Sequence, residues 1–280
     1  KAVDKRLKEW KASDFLRRLW DKDPTLWFSY PVPEITNRLG WLDLPELSHN
    51  MLTEYASFAK EIKNEGTLYV VLLGMGGSSL APEMYQQIFG NAPDFPELIV
   101  LDSVHPSAIL HVENTIDLKK TLFIVASKSG TTTETLSLFR YFWQRIGEAD
   151  ENQGHHFIAI TDPNTPLVEL AKQRGFRRIF IAPPDIGGRY SALSAFGLVP
   201  AALIGLDIHQ FLDRARNISE NCAFGVPGEK ASGLILGATL GELYLQGRDK
   251  ITFFTSPMIQ SLFVIFIKKT LYSSFPIFTK

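Results

Sequence analysis

Thr121-Leu-Phe-Ile-Val-Ala126, followed at once by Ser127-Lys-Ser-Gly-Thr-Thr-Thr-Glu-Thr135, is the stretch that decides how this chain folds. The first six residues form a short apolar run, the pattern of a strand buried on both faces of a parallel sheet. Leu136 to Ile146 then takes up helical periodicity, which makes the hydroxyl-rich segment a turn from strand into helix. A helix N-terminus presents unpaired N–H groups at the positive end of its dipole. With Ser127, Ser129, Thr131, Thr132, one glycine and Lys128 gathered there, the turn reads as a phosphate cradle.

A second turn of the same design lies upstream, where Leu68-Tyr-Val-Val-Leu-Leu73 runs into Gly74-Met-Gly-Gly-Ser-Ser79 and a helix-like Ala81 to Phe89. Glycines let backbone amides approach a ligand, although a lone glycine-rich loop often does no more than turn the chain. Two such loops leaving neighbouring strands of an open parallel sheet converge at a topological switch point. The Gly-x-x-x-x-Gly-Lys-Ser/Thr pattern is absent, and Gly74-Met-Gly-Gly-Ser-Ser79 has serine where a dinucleotide fingerprint needs its third glycine. A monophosphate is the expected ligand. The third element, Gly187-Gly-Arg-Tyr-Ser191, follows Pro183-Pro-Asp185 and precedes the apolar run Ala192 to Leu206. Its Arg189 either stabilises an oxyanion or holds a phosphate, or is salt-bridged to Asp185 or Glu169.

Gly74-Met-Gly-Gly-Ser, Ser127-Lys-Ser-Gly-Thr-Thr-Thr-Glu-Thr and Gly187-Gly-Arg-Tyr-Ser, in that order, resemble the sugar isomerase (SIS) fold, and specifically the glucose-6-phosphate isomerase family. Arg38-Leu-Gly-Trp-Leu-Asp43 and Gly241-Glu-Leu with Gly247-Arg-Asp-Lys250 are most similar to the isomerase half of bifunctional transaldolase/glucose-6-phosphate isomerases. The resemblance covers Phe15 to Pro257. It implies a three-layer α/β/α sandwich around a five-stranded parallel sheet, plus the start of a second SIS domain. The expected division is a helical segment over 1–66, the first SIS domain over 67–206, a connection into an incomplete second domain over 207–257, and a divergent, apolar, aggregation-prone tail over 258–280.

The family moves a proton between C2 and C1 of glucose 6-phosphate or fructose 6-phosphate through a cis-enediolate. By motif position Ser78, Ser127, Ser129 and Thr132 contact phosphate, with Ser79, Thr131 and Gly188 beside them. Gly77 and Lys128 contribute mainly backbone, and Arg189 faces the enediolate. Ser79 departs from the aspartate many members carry, and Gly130 replaces a larger residue. The family's glutamate base, ring-opening histidine and a further lysine lie beyond the equivalent of Pro257, so the chain alone is expected to bind sugar phosphate weakly without isomerising it. A non-catalytic sugar-phosphate sensor is the alternative, and an isomerase domain acting on an amino sugar phosphate a third. The resemblance further implies a homodimer at full length, a fusion to transaldolase, no cofactor and no metal.

Composition agrees. Of 280 residues, 29 are basic and 30 acidic, a balance unlike the net basic surface a nucleic-acid protein needs. The single cysteine, Cys222, excludes an internal disulfide framework and fits a reducing, cytoplasmic setting as a buried or idle thiol. No apolar run approaches the ~20 residues of a membrane span. Because the first residue is Lys1, the chain is expected to be cut from something longer. Strands are expected at Leu68 to Leu73, Leu98 to Leu101, Thr121 to Ala126, Phe157 to Thr161 and Arg178 to Ile181. Helices are expected at Lys1 to Trp20 and Leu44 to Lys63, at Phe211 to Glu220, and at a buried Gly233 to Leu245, before a strand Ile251 to Thr255 that opens a second sheet. His49, His105, His111, His155, His156 and His209 show no metal-ligand spacing and read as surface or structural. Asp102 is expected to serve as a structural hydrogen-bonding group, and Glu134 to brace its loop.

Overall fold

The computed structural model describes residues 1–228 and 230–262. Its helices run, in chain order, as α1 (Ala2–Ala12), α2 (Phe15–Trp20), α3 (Pro33–Thr36), α4 (Leu44–Leu47), α5 (Leu52–Asn64), α6 (Gly77–Phe89), α7 (Pro106–Thr115), α8 (Thr133–Ala149), α9 (Pro166–Gln173), α10 (Ala195–Leu203), α11 (Ile208–Glu220) and α12 (Ser232–Leu245). The strands β1 (Tyr69–Gly74), β2 (Glu97–Leu101), β3 (Thr121–Ala126), β4 (Phe157–Thr161) and β5 (Arg178–Ile181) pair in parallel in the order β2-β1-β3-β4-β5. The expected α/β fold with a five-stranded parallel sheet is therefore the fold found, each strand lying within one residue of its anticipated bounds.

The strand alternation sorts side chains into two cores. Val70, Leu72, Leu122, Ile124, Ile158, Ile160 and Phe180 face the layer that includes Leu52, Phe58 and Ile62 of α5, Tyr85 of α6 and the wholly buried α10. Val71, Leu73, Phe123, Val125, Phe157 and Ala159 face the opposite layer, which includes Leu138, Phe139 and Phe142 of α8 and Leu167 and Ala171 of α9. Phe123 lies 4.8 Å from Phe142 and 5.1 Å from Phe157 between ring centroids, and each such fully buried ring contributes about 1.5–3 kcal/mol. With both faces covered, only the sheet's ends remain for binding.

Four expectations are corrected. The amphipathic pattern of Lys1 to Trp20 is two helices, because Asp14 takes the left-handed conformation (φ 52°) and turns the chain between α1 and α2. Leu44 to Lys63 is likewise divided, α4 and α5 being joined by a 3-10 turn at Ser48–Met51. The apolar α12 is formed but not buried. It packs on α1, with Arg6 Nε donating to Glu242 Oε1 at 2.7 Å, and Ala238 is its one buried residue among those described. Leu236 is 60 % and Leu245 57 % exposed, because one neighbouring helix covers one side of a helix that is apolar all round. Residues 251–256 form no strand; Ile251 to Thr255 has β-prone composition but no ladder partner among the described residues. The expected divergent tail falls mostly beyond residue 262, outside the described residues. Among the described residues no helix is long and apolar enough to cross a membrane.

Arg177, just before β5, ties the sheet to α5. Its side chain is buried, donates to Glu61 and Glu65, and lies 5.7 Å from the Phe58 ring centroid. The hydrogen bond from Arg177 holds the Glu65 carboxyl below its ordinary value of 4.5. Arg177→Met is expected to cost about 1–3 kcal/mol at neutral pH. A depressed carboxyl contributes stability that is complete above its unfolded value and is lost as pH falls through its folded value. The gap between wild type and variant in urea denaturation is therefore expected to shrink as pH falls below about 4.5; a gap independent of pH would contradict the pairing.

Candidate functional site

The chain leaves β1 for β2 on one side and returns to β3 on the other, so the sheet's switch point lies between β1 and β3. Gly74 and Ala126 are in register, and the two loops that follow begin side by side. The first loop reaches α6 through Gly76, whose φ of 53° suits a residue without Cβ, and no side chain caps that helix. The second loop enters α8 at Thr132, which also makes no capping bond. Instead its hydroxyl pairs with Ser127 Oγ at 2.9 Å. Ser127 is buried; its Oγ accepts from Gly130 N at 3.1 Å and its N–H donates to Ile160 O at 3.0 Å. Ser129 Oγ accepts from Thr131 N at 3.2 Å and Thr131 Oγ1 at 2.9 Å. Gly130 has φ +69°, and a Cβ there would lie 2.8 Å from Thr165. Two helix N-termini without side-chain caps thus open beside each other, an arrangement suited to an anion.

The third motif is pressed against the first. A Cβ on Gly77 would lie 2.5 Å from the carbonyl carbon of Gly188. Ser191 Oγ donates to Gly188 O at 2.7 Å and reaches Gly77 O at 3.5 Å. Gly188–Leu193 forms a 3-10 turn, held from below by Tyr85 Oη on Ala192 O at 2.9 Å and Ser48 Oγ on Leu193 O at 2.5 Å. The turn lifts Arg189 into solvent, where it makes no ion pair or hydrogen bond among the described residues. The alternative partners are engaged elsewhere, Asp185 with Lys22 at 3.6 Å and Glu169 with Lys172 at 3.0 Å.

The structure brings Gly77, Ser78, Ser127, Lys128, Ser129, Thr131, Thr132, Gly188 and Arg189 to this one end of the sheet. Ser79 does not join them: it is fully buried and donates to Gly76 O at 3.1 Å. Lys128 ion-pairs with Asp162 and donates to Pro184 O at 2.9 Å, so its ammonium is committed within the protein. Burial pushes the Asp162 carboxyl above its ordinary value, with Lys128 opposing. Among the described residues Glu134, in the first turn of α8, makes no bond to the loop and the exposed Asp102 side chain makes no hydrogen bond, so neither shows there the bracing contact expected of it. His156 is buried between Thr121 O and Asp150, both at 3.0 Å, and His105 caps α7. Among the described residues no group of His, Cys, Asp and Glu is placed to hold a metal.

Sequence reasoning did not single out Asp162, although its place one residue past β4, at the same sheet edge, was a usable signal. It also left Arg38-Leu-Gly-Trp-Leu-Asp43 without a structural role. Leu39 bridges Ile186, Gly40 N donates to Asp185 O at 3.0 Å, and Trp41 stacks on Tyr190 with centroids 5.8 Å apart, so this segment walls the Arg189 turn.

A doubly covered parallel sheet with hydroxyl-lined loops at its switch point defines a doubly wound α/β domain of the kind that binds ligands at its strand ends. Residues 56–263 match the family model described as phosphoglucose isomerase, and the chain belongs to that family. It is 37% identical over 184 residues to glucose-6-phosphate isomerase of Thermus thermophilus, covering 65% of this chain and 43% of that protein. With the enzyme of Carboxydothermus hydrogenoformans it is 33% identical over 207 residues, covering 70% and 44%. The chain spans about half the length of the curated relatives it matches. A hypothetical protein from Thermus thermophilus superposes with TM-score 0.78 at 30% identity, over 95% of this chain and 61% of that one. A Chlamydia trachomatis glucose-6-phosphate isomerase, at TM-score 0.76 and 19% identity over 95% and 55%, shares the fold.

The glycine contact is asymmetric, which makes it testable. Gly188 would place a Cβ no closer than 3.7 Å to Gly77 Cα, whereas Gly77 would drive one into the Gly188 backbone. Gly77→Ala is expected to destabilise by about 1–3 kcal/mol through overpacking, and Gly188→Ala to unfold close to wild type in thermal denaturation. Equal behaviour of the two variants would contradict the close approach.

Proposed function

We propose that this chain carries the phosphate-anchoring and arginine-bearing part of a glucose-6-phosphate isomerase, which interconverts glucose 6-phosphate and fructose 6-phosphate through a cis-enediolate. The supporting observation is the convergence of three loops at the β1–β3 switch point, one of which delivers an uncommitted guanidinium. The chemistry needs a fixed phosphate, positive charge beside the enediolate oxygens, a carboxylate base and a ring-opening acid. Ser78, Ser127, Ser129, Thr131 and Thr132 supply hydroxyls for the phosphate; Gly77, Lys128 and Gly188 supply backbone. Arg189 supplies the charge that answers the enediolate. Base and ring-opening acid belong to a second SIS domain, beyond the segment that ends near residue 257. Under this proposal residues 1–66 buttress the first SIS domain at 67–206, and 207–257 lead toward the second. At full length the enzyme is a cytoplasmic homodimer serving glycolysis and gluconeogenesis, with transaldolase as a fusion partner.

Calorimetric titration tests the anchor. Glucose 6-phosphate and fructose 6-phosphate are expected to bind and free glucose not; equal binding of glucose and its phosphate would count against it. Ser127→Ala with Thr132→Ala is expected to weaken sugar-phosphate binding by on the order of 1 kcal/mol per hydroxyl in a folded chain.

The role of Arg189 is tested in this chain extended by a second domain. Arg189→Ala is expected to lower kcat more than it raises KM, because a donor aimed at the enediolate acts in the transition state. Arg189→Lys is expected to rescue poorly, since a point charge lacks the planar donor array. A change in KM alone would place Arg189 with the phosphate.

A further inference from the structure

Asp162 has no part in the chemistry assigned above, yet it holds the phosphate loop directly and, through Lys128, is tied to the turn that precedes Gly187. Its N–H donates to Lys128 O at 3.3 Å, and its Oδ2 pairs with the Lys128 ammonium. Oδ1 is buried with no hydrogen-bond partner among the described residues. The same ammonium donates to Pro184 O at 2.9 Å, so one side chain links the phosphate loop to the turn that precedes Gly187. A cavity of about 10 Å³ lies against the pair, bounded also by Pro183, Ser191 and Ser194, room for about one water molecule. Arg38 and Asp185 are the other charges that act on the Asp162 carboxyl, Arg38 favouring its ionised form and Asp185 opposing it, and Asp185 is itself answered by Lys22.

Lys128 stands between Ser127 and Ser129, where a free ammonium would be the strongest anion ligand in the loop. The structure spends that ammonium inward. A carboxylate held beside an anion site adds nothing to phosphate affinity and repels the ligand, so its benefit must lie in what it does to the lysine.

We propose that Asp162 is a positioning residue that withholds the Lys128 ammonium from the anion site, so that phosphate is gripped by hydroxyls and backbone amides while the lysine pins the Pro183–Asp185 turn. This rests on the phosphate-cradle reading of the two loops. A lysine on the phosphate would strengthen binding of substrate, product and transition state alike, a uniform gain that does not speed the chemical step. Held on Pro184, it instead fixes the loop carrying Arg189 relative to the phosphate.

The test is titration of inorganic phosphate and glucose 6-phosphate into the 280-residue chain at low and high salt. Asp162→Asn keeps an acceptor for Lys128 but removes the compensating charge, and is expected to tighten both ligands by roughly 3–10-fold at low ionic strength, the gain fading as salt screens it. Adding Lys128→Met to Asp162→Asn is expected to abolish the gain. Unchanged or weaker binding in folded Asp162→Asn overturns the proposal, as does a gain that survives loss of the lysine. If wild type binds neither ligand, the cradle reading fails by itself, and the brace is judged without ligand by urea denaturation of the two single variants and the double. Strong coupling between positions 128 and 162 then supports the pairing, and additive effects overturn it.

Discussion

A parallel sheet sealed on both faces has nowhere to act except at its ends, and the placing of β1 beside β3 rather than beside β2 alone decides which end matters. Gly74 and Ala126 stand in register there, so two strand-to-helix turns start from one level and diverge onto opposite helical layers, α6 on one and α8 on the other. The divergence opens the crevice. Every hydroxyl assigned to the phosphate inherits its position from this pairing, as does the Gly77 backbone on which the Gly188 turn rests. Side-chain chemistry at the site is thus a consequence of strand order more than of any single residue.

The sheet was legible because strand burial leaves a direct imprint: Thr121 to Ala126 is a six-residue run of strand length, rich in branched and aromatic residues, buried throughout and bounded by a turn. The helices outside the sheet were less legible, for distinct physical reasons. The break at Asp14 is one residue's backbone conformation inside a continuous amphipathic pattern, and periodicity does not register it. The apolar α12 was equated with burial, but composition records what a segment can cover, not whether a neighbour is supplied. Ile251 to Thr255 fails as a strand on the same ground, since a strand exists only through its ladder.

At the site, sequence pointed to hydroxyl-bearing loops but not to the contacts that join them. Ser78 and Ser79 are adjacent on a helix, about 100° apart in projection, so they do not face the same crevice; Ser79 turned inward onto Gly76 O. The touching backbones of Gly77 and Gly188 come from residues 111 positions apart, which no motif spacing encodes. Trp41 on Tyr190 and Gly40 on Asp185 likewise join segments far apart in sequence. Asp162 was recoverable from position alone, being a carboxylate just beyond a buried strand at the working edge, and it was passed over because no motif contains it.

The β1–β3 pairing also sets an order of assembly. Tyr69 meets Thr121 across 52 positions, whereas β1 meets β2 across 28 (69 to 97), β3 meets β4 across 34 (123 to 157) and β4 meets β5 across 20 (158 to 178). The seam that creates the crevice therefore closes the longest loop in the sheet. In equilibrium terms the penalty is slight, since each doubling of loop length costs about 0.6 kcal/mol. In kinetic terms it is not, because contacts between distant segments are the slow ones to find. The two flanking pieces, β1 with β2 and β3 through β5, can form as local parallel units first, and the crevice at the sheet's end comes into existence only when they dock.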